Sequence, residues 1–97
     1  MPVRTIKLMA DYDCWPLWEQ GSNEYNVDPA YLPISDDLRA DLLQWGDAYD
    51  ATLNRHDPAR SGFSDPEAEG EWKLRGKSLA NRLREEIGRD HEIVEDI

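Results

Sequence analysis

The stretch DYDCWPLWEQG, residues 11–21, sets two carboxylates, Asp11 and Asp13, beside the chain's one cysteine, Cys14, and follows them with Trp15, Pro16 and Trp18. A thiol needs a base before it becomes a useful nucleophile, and the chain offers His56 and His91. Asp11, Asp13, Cys14 and His56 would therefore be the working parts of a small hydrolase. Asp11 and Asp13 are also two residues apart, which on a continuing strand puts them on one face, where they could hold a divalent ion or act as acid and base. The surroundings argue against both chemistries. Carboxylates next to Cys14 disfavour a thiolate, the stretch lacks the ligand spacing and glycine of a calcium loop, and a lone cysteine cannot build a structural zinc site. No glycine-rich phosphate loop is present. The expectation is no catalytic residue, no metal and no cofactor, with a hydrolase or metal-dependent enzyme built on the 11–14 loop and His56 as the alternative.

Charge narrows the partners. The 97 residues carry 21 acidic and 11 basic side chains, a net charge of -10, which repels nucleic-acid phosphates and anionic lipid surfaces. Residues 11–31 hold Tyr12, Trp15, Trp18, Tyr25 and Tyr31 without a single Lys or Arg, so stacking on a nucleic acid has no cation to support it. No apolar run approaches the roughly 18 residues of a membrane span, and MPVRTIKLMA lacks the features of a secretory signal. With one cysteine there is no internal disulfide, and the expected compartment is the cytoplasm. A basic protein is the partner this field attracts, in a salt-dependent way.

The elements that would position these groups follow from periodicity. VRTIKLMA alternates apolar and polar residues and predicts a half-buried strand over residues 3–10. Trp15, Leu17 and Trp18 around Pro16 predict a short edge strand or a structured loop, and EQGSNEYN reads as a turn. Asp28 and Pro29 suit the start of a short helical turn that Pro33 ends. Leu38, Leu42, Trp45, Tyr49 and Leu53 recur at spacings of three and four behind an N-cap at Ser35, predicting a first helix over residues 36–53. After the polar connection NRHDPARSGFSD, Ser64 and Glu67 have capping-box spacing. Ala68, Trp72, Leu79, Leu83 and Ile87 then form the stripe of a second helix that Gly88 terminates. HEIVEDI is a short strand. Gly46 and Gly76 lie at the edges of their stripes and offer room for close packing against Trp45 or Trp72, whereas Gly70 projects to solvent. The predicted fold is α+β, residues 1–97 forming a single domain, with a two- or three-stranded sheet covered on one face by an antiparallel helical hairpin.

The solvent faces of the two helices differ. Opposite the first helix's stripe, Asp36, Asp47 and Asp50 gather, flanked by Asp37 and Asp41, with Leu43 in their midst. Such a patch suits a basic protein surface, Leu43 anchoring and the aspartates steering. The second helix pairs Glu69 with Lys73, Glu71 with Arg75 and Glu85 with Arg89 at i,i+4 and reads as self-neutralising; its exposed Leu74 has no explanation. Trp15, Leu17 and Trp18 are expected to be core or lid residues joining sheet to helices, the alternative being one tryptophan exposed as an interface anchor.

KLMADYDCWPLW, LPIS, WGDAYDATLN and SGF together resemble small acidic bacterial proteins of the immunity type in toxin-immunity systems. The resemblance spans most of the chain and implies a cytoplasmic, non-enzymatic protein that neutralises a partner by occluding it. The acidic face would suit a basic target such as a nuclease-type toxin, through Asp36, Leu43, Asp47, Asp50, Trp15 and Trp18. A structural subunit of a larger assembly, contacting through the tryptophan loop, is a further alternative.

Overall fold

Alternating Thr5, Ile6, Lys7 and Leu8 form the interior strand of a sheet. The structure is a computed structural model that describes residues 4–21, 23–54, 56–57, 61–63 and 65–97. β1 (Arg4–Leu8) pairs antiparallel with β2 (Leu17–Gln20) and parallel with β4 (His91–Glu95). β3 (Tyr25–Asn26) adds to β2, giving the order β3-β2-β1-β4. Register places Leu8 opposite Leu17 and Ile6 opposite Ile93, and these four point into the core. The α+β architecture is as expected, but the sheet has four strands. Glu19 and Gln20, read as turn, extend β2, and Tyr25 and Asn26 return beside it. A two-residue strand carries no alternation to reveal it; besides its backbone pairing with β2 it is held by a side chain. Asn26 Nδ2 donates to the carbonyls of Trp15 and Leu17 (2.6 and 3.1 Å), and its Oδ1 accepts from the Trp15 amide (2.9 Å).

Asp28 accepts from the Ala30 amide and starts a 3-10 turn over Pro29–Tyr31. α1 (Asp36–Asp50) begins at Ser35, whose Oγ accepts from the Leu38 amide. It stops three residues short of Leu53. There Thr52 Oγ1 donates to the Tyr49 carbonyl (2.7 Å) and the Thr52 amide donates to the same oxygen (2.9 Å), a local bonding pattern that turns the chain out of the helix. α2 (Pro66–Ile87) is capped by Asp65, which accepts from the Glu67 amide (2.9 Å) with Pro66 at the first position. The Ser64 side of the expected capping box lies outside the described residues, as do Val3 of the predicted first strand and residues 55 and 58–60 of the connection. β1 stops at Leu8 rather than residue 10, and Ala68 is exposed, so the buried stripe of α2 begins at Trp72.

The two helices are joined by their tryptophans. The rings of Trp45 and Trp72 stack with centroids 4.3 Å apart and planes 3° from parallel. Each indole N–H donates to the other residue's backbone carbonyl, at 2.9 and 3.0 Å. Gly76 makes room for this pair: a Cβ there would sit 2.7 Å from Trp45 Cζ2 and 2.9 Å from Ile97 Cδ1. Gly46 instead meets Pro16, at 3.4 Å. Nothing in the structure explains Gly70, whose Cβ would find open space. At the far end of the hairpin, Glu86 of α2 accepts from both the amide (2.6 Å) and the hydroxyl (2.8 Å) of Ser35. These two bonds, the backbone one first, hold its carboxyl below the usual glutamate range.

Gly76→Ala should lose about 1–3 kcal/mol of stability to overpacking against a fixed ring, although alanine ordinarily gains about 1 kcal/mol over glycine inside a helix. Gly70→Ala should show that ordinary gain, and urea unfolding of the pair separates the two effects. Glu86→Gln should lower the melting temperature at neutral pH, because an amide cannot accept both bonds. Since the folded-state carboxyl titrates below its unfolded value, its stabilisation is complete above the ordinary glutamate range and lost as pH falls through the lowered one; wild type and variant should therefore converge in acid.

Candidate acidic binding pocket

Pro16 is buried where it crosses Gly46, and this contact lays the loop of residues 11–15 along the C-terminal half of α1. The loop is tied down on both sides. Its turn closes with the Cys14 amide on the Asp11 carbonyl (3.3 Å). Asp13 takes a left-handed φ of 59°, a conformation aspartate tolerates better than most residues. The Asp13 amide donates to Asp50 Oδ1 (3.1 Å). Tyr12 stacks on Tyr49 (4.6 Å) and its hydroxyl bonds that of Thr52 (2.9 Å).

An open pocket of about 400 Å³ remains between loop and helix. Asp13, Cys14 and Trp15 line it from the loop, Leu43, Asp47 and Asp50 from α1, with Asn26 and the Pro16–Gly46 contact completing it. Among the described residues that line it there is no Lys or Arg. Trp15 is 43% and Leu43 38% exposed.

Four residues singled out from sequence thus come together: Trp15, Leu43, Asp47 and Asp50. The other two do not. Asp36 sits at the N-terminal end of α1, turned to solvent and paired with Arg39 (2.7 Å). Trp18 is half-buried on β2, paired with Lys7, with its indole N–H on the Met9 carbonyl (2.9 Å). Pro16, Gly46 and Asn26 complete the pocket without having been singled out. The proline and glycine are visible in the sequence, but their meeting is not, and Asn26 lies in a stretch that reads as turn.

The contrast between a self-paired second helix and an unpaired first one needs correction. Glu69 and Lys73 do pair (3.3 Å), but Arg82 reaches across to Asp41 (2.5 Å), and Arg75 bonds Gln44 (2.7 Å) with Asp41 at 3.9 Å. Packing the helices side by side brings cations of α2 closer to α1 than to the next turn of their own helix. Among the described residues, no cation pairs with Asp37 at the N-terminal end of the face or with Asp47 and Asp50 at its C-terminal end.

The model of the Serratia CdiI immunity protein-like family matches residues 4–94, from β1 to β4 and including the whole pocket. The chain belongs to this family. A comparison with curated proteins found no match. As an immunity-protein-like chain it has an immunity role in general, and such families are generally non-enzymatic. Among the described residues, no helix is long and apolar enough to cross a membrane.

For an immunity-type protein, the residues that could have done chemistry are poorly placed to do it. Burial pushes the Cys14 thiol up, and Asp11, Asp13 and Asp50 push it further. His56 is exposed and does not line the pocket that holds Cys14; His91 is buried at the start of β4 with Nδ1 at 3.2 Å from the Ile87 carbonyl. No group of three or more His, Cys, Asp or Glu among the described residues could hold a metal ion. The alkylation rate of Cys14 by iodoacetamide at pH 8 should be at least about threefold below that of free cysteine, and Asp50→Asn should raise it, as followed by mass spectrometry.

Proposed function

We propose that this immunity-type protein neutralises a basic toxin by occluding it, with the pocket rim as the contact. One observation carries the reading: two aspartates that pair with no cation among the described residues flank two exposed apolar side chains, Trp15 and Leu43, in a single pocket that no described basic residue lines. In a protein–protein interface a tryptophan at the centre typically supplies much of the affinity, and surrounding charge supplies steering and register. The net charge of -10 extends that steering beyond the contact. Asp36 then contributes to the field and not to the contact, and Trp18 belongs to the sheet. A nuclease-type toxin, whose substrate cleft must be positive, is the kind of target that fits, and the site of action is the cytoplasm.

The test begins with a pull-down by the tagged protein at low and moderate salt, followed by titration of the recovered toxin. Asp47→Asn combined with Asp50→Asn should weaken binding at low salt about tenfold or more and flatten its salt dependence. Stability should change by less than about 0.5 kcal/mol, because asparagine keeps the oxygen that accepts from the Asp13 amide. Unchanged affinity and salt slope in the double variant would end the proposal.

A further inference from the structure

We propose that the pocket receives one arginine side chain of the toxin, its guanidinium lying against the Trp15 indole and pairing with Asp47 and Asp50; this rests on the immunity reading above. The volume, about 400 Å³, is at the small end of the range for ligand pockets, enough for a side chain and too little for a helix or strand. The ligand is a cation, because the pocket presents carboxylates. The Asn26 amide donors, which could have met an anion, are already committed to the Trp15 and Leu17 carbonyls. The cation is organic, because the described residues offer no metal-binding group of three.

Between the two cationic side chains, the geometry selects arginine. Asp47 and Asp50 stand three residues apart on one helix face, so two acceptor groups lie side by side, matching a planar fork of donors better than a point charge. Trp15 offers an indole face, on which a guanidinium both stacks and gains cation–π attraction. That face is presented by a fixed backbone, since Asn26 bonds both the amide (2.9 Å) and the carbonyl (2.6 Å) of Trp15. Preorganisation of this kind removes an ordering cost from binding. Leu43 gives the aliphatic stem an apolar wall.

The probe is N-acetyl-arginine amide, titrated into the full-length ¹⁵N-labelled protein and compared with the lysine and citrulline amides. Arginine should shift the Leu43 and Asp47 amides and the Trp15 indole saturably, at a concentration about tenfold below that of uncharged, isosteric citrulline and about threefold below that of lysine. Trp15→Ala, at an exposed position, and Asp47→Asn with Asp50→Asn should each weaken the response about threefold or more while the melting temperature holds. Equal responses to arginine and citrulline, a lysine response as strong as arginine's, or shifts outside the pocket would each overturn the inference. If arginine fails while toxin binding still collapses in the double aspartate variant, this inference falls and the immunity contact stands; if toxin binding is also indifferent, both fall.

Discussion

The reciprocal clasp of Trp45 and Trp72 is the contact on which the remainder of the molecule depends. Two indoles stacked 4.3 Å apart, each bonded to the other's backbone, set the spacing and the rotation of α1 against α2 together. Stacking alone would leave the rings free to slide, and hydrogen bonds alone would leave the faces unpacked; the combination fixes one arrangement and leaves neither indole N–H unsatisfied in the core. Tyr49 and Phe63 extend the aromatic cluster from Trp72 toward Tyr12, so the clasp also supports the loop that forms one wall of the pocket. At the opposite end of the hairpin, Glu86 holds the first turn of α1 through Ser35.

Once the helices are held in this way, the distribution of charge on α1 follows. Arg75 and Arg82 project toward Asp41 and Gln44, and Arg39 turns to Asp36 while reaching the carbonyls of Pro29, Leu32 and Ile34. Asp36 and Asp41 are thereby paired. Asp47 and Asp50 lie where the neighbouring element is the loop of residues 11–15, which carries carboxylates of its own. Concentrated charge on a small surface is a local cost in stability and a gain in steering.

The same loop shows how residues that look catalytic in sequence are arranged differently in the folded chain. Cys14 and the aspartates around it are adjacent in sequence, which invites a reading as nucleophile and base. In the folded chain their proximity has the opposite consequence, since partial burial and surrounding negative charge push the thiol's pKa up. What the loop contributes is shape: Asp13 in a left-handed conformation and Pro16 against Gly46 turn Trp15 outward.

The fold class, the caps at Asp28 and Ser35, both helices and the closing strand were legible in the sequence, because each depends on residues within a turn or two of one another. Gly76 as room for close packing against Trp45 or Trp72 was legible for the same reason, from its place at the edge of a stripe, but Gly46, read the same way, meets Pro16. The third strand was not, since two residues leave no periodic trace. Nor was the division of the acidic face, for which residues 41, 75 and 82 must be brought together across two helices. By itself the sequence determined an acidic protein with an amphipathic helical hairpin over a small sheet, since net charge and periodicity are sums over local residue types. Only the tertiary structure decided which aspartates stay unpaired and which tryptophan faces out, because both depend on which distant side chains arrive first at the same few ångströms of surface.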